Sequence, residues 1–140
     1  MTGNDEQLRE TVRTWWRAVE TGDMQTVADM LTEDMTWEVM HVKEWMPCGG
    51  VFRGKAEVQR ELLDIIPTAF YIPGQTKFTI TALHVADPVV VMEFTVDAVT
   101  ARGREMTDAH YVSVITTENG KIAYAREYPD ALKAKAAHLD

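Results

Sequence analysis

The sequence predicts an α+β fold, with helices gathered in the first half of the chain and strands in the second. Three observations carry that reading. Apolar residues recur at helical spacing through most of the first 66 positions. Beyond residue 76 the pattern changes to stretches rich in β-branched and aromatic residues. Only short turn signals separate those stretches, which suits antiparallel neighbours and leaves no room for crossover helices.

Residues 5–21 form the first expected helix, with Leu8, Val12, Trp15 and Val19 on one face. Gly22 stops it, and Asp23 sits where the N-cap of a second helix belongs, running to about Leu31. Thr36–Val42 alternates as a short strand, with Trp37, Val39 and His41 on one side and Glu38 and Met40 on the other. A loop over residues 43–54 contains Pro47, Gly49, Gly50 and Gly54. A third helix is expected over Lys55–Ile66, with Val58, Leu62, Ile65 and Ile66 on its apolar face. Pro67 and Pro73 bracket a connector carrying Phe70 and Tyr71.

Four long strands follow: Lys77–Val85, Val89–Val99, Arg104–Thr116 and Lys121–Glu127. In the second of these, Met92, Phe94 and Val96 should face the core, and Glu93, Thr95 and Asp97 should face out. The third is ambiguous. Asp108, His110, Val112 and Val114 share one face, Ala109, Tyr111, Ser113 and Ile115 the other, and both faces are partly apolar. A short helix over Ala131–Ala137 completes the pattern.

With 140 residues, 46% of them hydrophobic, the chain suits one domain spanning residues 1–140. A net charge of −8 argues against nucleic acid and against an anionic membrane surface as partners. No apolar run is long enough to span a bilayer, and the first residues lack an apolar signal core, so a cytoplasmic location is expected. The lone Cys48 allows no internal disulfide, and no phosphate loop, dinucleotide fingerprint or metal-spaced cluster appears. No metal and no cofactor are expected.

Several local patterns, in order, resemble the SnoaL-like group of the nuclear transport factor 2-like superfamily. They are the turn Glu20-Thr21-Gly22-Asp23, with Leu31 and Asp34 ahead of a Trp-containing strand, and the run from Gly50 to Lys55. Val90-Val91-Met92-Glu93, Gly103-Arg104 and the stretch from Gly120 to Asp130 complete the set. The resemblance covers nearly the whole chain. It implies a cone-shaped, curved antiparallel sheet wrapped by three N-terminal helices around an apolar pocket. Relatives of that group include ketosteroid isomerases, polyketide cyclases, scytalone dehydratase, limonene epoxide hydrolases and non-catalytic binding proteins.

Carried over by position, the resemblance turns Trp37, Val39, His41, Asp108, His110 and Glu127 toward the pocket. Trp15 stands where steroid isomerases place an oxyanion-stabilising tyrosine, and Val39 where they place the catalytic aspartate. Phe94 and Val96 occupy the places of the arginine and aspartate of the epoxide hydrolases, while Glu127 matches their other essential carboxylate. Both sets of departures count against those two mechanisms.

The expectation is a cofactor-independent acid–base enzyme acting as a lyase or dehydratase, isomerase or cyclase on an apolar, ring-containing small molecule. His110 is the main proton-transfer group, because imidazole titrates near neutrality. Asp108 orients it, and His41 or Glu127 serves as the second partner. Trp15, Trp37, Val39, Tyr71, Phe94 and Val112 form the substrate-binding wall, with Trp45 and Met46 as a lid. His84 and His138 are expected to be inert. Tyr111, Ile115 and Tyr124 are expected on the outer face, where they would support a homodimer through the sheet. Two other readings stay open: a non-catalytic ligand-binding or dimeric scaffold, and water activation by Glu127.

Overall fold

A computed structural model describes residues 2–40, 48–66, 71–72 and 74–139. His41, Trp45, Met46 and Phe70 lie outside the described residues. The elements run α1 (Thr2–Thr21), α2 (Met24–Asp29), β1 (Leu31–Val39), β2 (Gly50–Arg53), α3 (Lys55–Val58), β3 (Lys77–Ala86), β4 (Val89–Val99), β5 (Glu105–Glu118), β6 (Lys121–Tyr128) and α4 (Ala131–His138). None of the described helices is long and apolar enough to cross a membrane.

Local chemistry explains the first turns. Gly22 ends α1 with φ +76°, a conformation open to glycine without strain. The Asp23 carboxylate then accepts from the Thr26 N–H at 3.2 Å and from its hydroxyl at 2.7 Å, capping α2. α2 stops at Asp29, two residues short of expectation, because Leu31 already pairs with Ile122 at the start of β1. β2 was not expected. Gly50–Arg53 pairs with β1, so part of the glycine-rich loop becomes a sheet edge. α3 continues into a π-helical stretch, Gln59–Leu63, which buries both Leu62 and Leu63 and leaves Ile65 partly exposed.

The six strands form one curved sheet in the order β2-β1-β6-β5-β4-β3, with β2 and β3 at its open edges. β3 to β6 form the expected antiparallel meander, and β1 joins β6 in parallel. One extra residue interrupts the ladder in β3, in β5 and in β6. Such bulges bend and twist a sheet, and three of them give this one its curvature.

The bulges also decide which side chains face inward, since a one-residue slip reverses a strand's faces. Near the β4–β5 turn, Ala98 pairs with Met106; past the bulge, Val96 pairs with Ala109. Without the extra residue, Val96 would face Asp108, and His110 would lie opposite Phe94. With it, Ala109, Tyr111 and Ser113 stand opposite the buried Val96, Phe94 and Met92. Asp108 takes the left-handed conformation at the bulge, φ +51°, which aspartate tolerates better than most residues. Its N–H donates to the Asp97 carboxylate at 2.8 Å, and the Lys133 ammonium donates to the Thr107 and Asp108 carbonyls, both at 2.9 Å.

The expected inward placement of Asp108, His110 and Val112 is therefore corrected. Tyr111 and Ile115, expected outside, are buried inside. Of the three residues that suggested pairing through the outer face, only Tyr124 remains there, its hydroxyl donating to Glu38 at 3.1 Å.

The β6 bulge works in the opposite sense for the site. Ile122 pairs with Thr117, but Tyr124 already pairs with Thr116. That extra residue sets Glu127, not Arg126, opposite the buried Ser113.

Candidate active site

The concave face of the sheet and the helices packed on it enclose a cavity of about 490 Å³. That volume suits one small organic molecule. Trp37 and Val39 of β1, Phe94 and Val96 of β4 and Tyr111 of β5 line the sheet side. Trp16 of α1 and Leu62 close it from the helical side. Aromatic packing fixes the wall. Trp16 contacts Trp15, Phe78 and Phe94 with ring centres 5.5, 5.0 and 5.0 Å apart, and Phe94 meets Tyr111 at 5.4 Å. Trp15 was expected on this wall. It is fully buried behind it, 4.9 Å from Trp37, and its neighbour Trp16 faces the cavity.

Polar chemistry in the cavity centres on Glu127. The β1–β6 and β5–β6 ladders hold it between Val39 and Ser113. Burial raises its carboxyl from 4.5 to about 7, because an ionised carboxylate loses hydration there. Its group is thus poised between acid and base near neutral pH. Cys48, Tyr71 and Tyr111 also line the cavity, as do the polar residues Glu20, Thr21, Thr76 and Lys77. Burial first, then the neighbouring Glu127 charge, pushes the Cys48 thiol up to about 12, so this cysteine is held as an unreactive thiol.

Burial likewise pushes both tyrosines above their ordinary range, so both phenols stay protonated and able to donate. The Tyr71 hydroxyl donates to that of Tyr111, which donates to the Met106 sulfur at 3.8 Å. Thioether sulfur is a weak acceptor, so a ligand oxygen can redirect this pair at little cost. Behind Tyr71 stands His138, with ring centres 5.5 Å apart. His138 is buried, and burial lowers its pKa.

The remaining sequence candidates are elsewhere. The Asp108 and His110 side chains are 68% and 72% exposed, lie 3.5 Å apart, and do not line the cavity. The bulge that turned them out also ties their backbone down, since the His110 N–H donates to Asp130 at 3.1 Å. His84 pairs with Glu93 at 2.6 Å on the exposed face. Among the described residues, Tyr71 and Tyr111 accompany the carboxylate, and His110 does not. Alternation alone could not mark Tyr111 as a lining residue, because the bulge that turns it inward leaves no plain sequence signal. His110→Ala and Asp108→Asn should each shift stability by no more than about 0.5 kcal/mol, as for other exposed positions. Denaturant unfolding checks this, and a loss several times larger would restore a buried role for the pair.

Three comparisons bear on the chain. The family model for the SnoaL-like domain matches residues 12–125. No curated protein matches. Among solved structures, an NTF2-like protein of unknown function from Burkholderia pseudomallei K96243 is 20% identical, with a TM-score of 0.83 over 96% of this chain and 98% of that one. A proposed isomerase from Bacillus subtilis is 26% identical, with a TM-score of 0.75 over 94% of this chain and 92% of that one. An LEH-like epoxide hydrolase from M. tuberculosis is 17% identical, with a TM-score of 0.76 over 97% of this chain and 92% of that one.

Proposed function

The chain belongs to the SnoaL-like family of the nuclear transport factor 2-like superfamily, and on that premise we propose that it is an acid–base enzyme acting on a ring-containing carbonyl compound. One observation carries the reading: burial in a largely apolar cavity pushes the Glu127 carboxyl up to about 7, while the other carboxylate of the lining, Glu20, is engaged by the Phe78 N–H. In its ionised form Glu127 takes a proton from the carbon next to the substrate carbonyl. The C–H electron pair moves into the ring, and negative charge collects on the carbonyl oxygen. The Tyr71 and Tyr111 hydroxyls, protonated and held by a weak sulfur contact, donate to that oxygen. Protonated Glu127 then returns its proton to another carbon, which is isomerisation, or to a departing hydroxyl, which is dehydration.

The B. subtilis neighbour, a proposed isomerase, supports the first outcome. Water activation of the epoxide-hydrolase kind finds less support, because Phe94 and Val96 supply no polar group beside Glu127.

Removal and return of a carbon-bound proton is common to the isomerase and dehydratase versions, so proton exchange tests both. Incubated in D2O with a panel of cyclic ketones and quinone-type compounds, the protein should place deuterium next to a carbonyl of at least one of them. Exchange should vanish with Glu127→Gln and persist with His110→Ala. No exchange with any member of the panel would favour a ligand-binding protein; exchange that survives Glu127→Gln would remove Glu127 from the chemistry.

A further inference from the structure

A second recess, of about 240 Å³, lies where α1 rests on the edge strand β3. It opens beside the apolar cavity and shares Trp16, Glu20 and Phe78 with it. Its lining is different in kind. Arg13, Trp16, Arg17 and Glu20 recur at spacings of three and four residues, so one face of α1 supplies two guanidinium groups. Ile80 completes the wall from β3.

The charges around these groups decide what they can hold. Glu20 is already engaged, accepting from the Phe78 N–H of the sheet edge at 2.6 Å. Arg13 makes only a loose contact with Glu10 at 3.6 Å, with both side chains largely exposed, an arrangement that exchanges readily with solvent. Arg17 has no ion-pair partner among the described residues. In a chain of net charge −8, one unpaired and one loosely paired arginine side by side at a cavity form a local exception. Two guanidinium groups match the geometry of an oxyanion. The residue at the seam, Trp16, is buried with an indole N–H that has no partner among the described residues.

We infer that this recess is an anion subsite, and that the ligand is an amphipathic organic acid whose rings fill the cavity while its carboxylate lies between Arg13 and Arg17. The inference rests on the reading of the cavity as the site for a ring-containing small molecule. It narrows that ligand from apolar to half-apolar and predicts that a neutral analogue is a poor substitute.

Two dyes that differ by one charged group test it. 8-Anilinonaphthalene-1-sulfonate carries a sulfonate, and N-phenyl-1-naphthylamine is the same ring system without it. Fluorescence titration should show the sulfonate bound about tenfold more tightly at low salt. The preference should shrink as salt is raised. The double variant Arg13→Gln, Arg17→Gln should abolish it while binding the neutral dye as before; both positions are at the surface, so the variant should fold. Equal binding of the two dyes, or a preference that survives the double variant, would overturn the anion subsite and leave the cavity reading standing. Failure of both dyes to bind would overturn the cavity reading itself, and the subsite with it.

Discussion

Glu127→Gln should stabilise the protein at alkaline pH while disabling it. In the folded chain the Glu127 carboxyl titrates at about 7, against 4.5 for an ordinary glutamate. Between those values the folded chain holds a proton that the unfolded chain has released. This group's contribution to stability therefore falls as pH rises from 4.5 to about 7, and stays low above that. The difference corresponds to up to about 3 kcal/mol at pH 8. Glutamine keeps the shape and removes the charge, so the variant should gain up to that amount at pH 8 and little at pH 5. Over the same substitution, turnover should fall by about 10²–10⁴, the usual contribution of a positioned acid–base group. Urea unfolding at the two pH values, alongside the deuterium-exchange assay, checks both halves. A structural carboxylate in an ion pair would behave in the opposite way, with the variant less stable at alkaline pH.

Trp16→Ala should produce the largest loss of stability among single truncations of the cavity wall. Trp16 is 4% exposed and meets three other aromatic rings, two of them on β3 and β4. It joins α1 to the sheet. Removing a buried indole costs about 3–5 kcal/mol, from lost burial and the space left behind. For a chain of this size that lowers the melting temperature by roughly 10–20 °C. Trp16→Phe keeps most of the contact and should lose much less. Thermal unfolding followed by circular dichroism distinguishes the two. A small loss for Trp16→Ala would mean that the helix is held to the sheet mainly by its other contacts, and that Trp16 serves the cavity more than the core.

Most of the architecture was legible in local chemistry. The Gly22 stop, the Asp23 cap and the alternation of Met92, Phe94 and Val96 each declare themselves within a few residues. The one strand that was not expected, β2, takes its pairing from β1, and a glycine-rich segment gives no periodic sign of it. The site was legible only in part. Trp37, Val39, Phe94 and Glu127 line the cavity as expected, and Tyr71 does so from the connector. Asp108 and His110 were misplaced for one reason, the extra residue in β5. Counting back from the turn gives the wrong face, since a bulge depends on where Asp97 and Lys133 meet the strand in three dimensions. Tyr111, excluded by the same count, is the residue that accompanies the carboxylate instead. His41, the other histidine proposed for proton transfer, lies outside the described residues.

The proposed chemistry depends on a cavity carboxyl tuned to neutral pH. Carbon-13 NMR of glutamate-labelled protein measures this directly, with the Glu127 resonance assigned by its absence in Glu127→Gln. The expected midpoint is near 7, displaced again when a ring-containing acid occupies the cavity. A midpoint near 4.5, unmoved by any such compound, would show a hydrated carboxylate and contradict the proposed chemistry at its base.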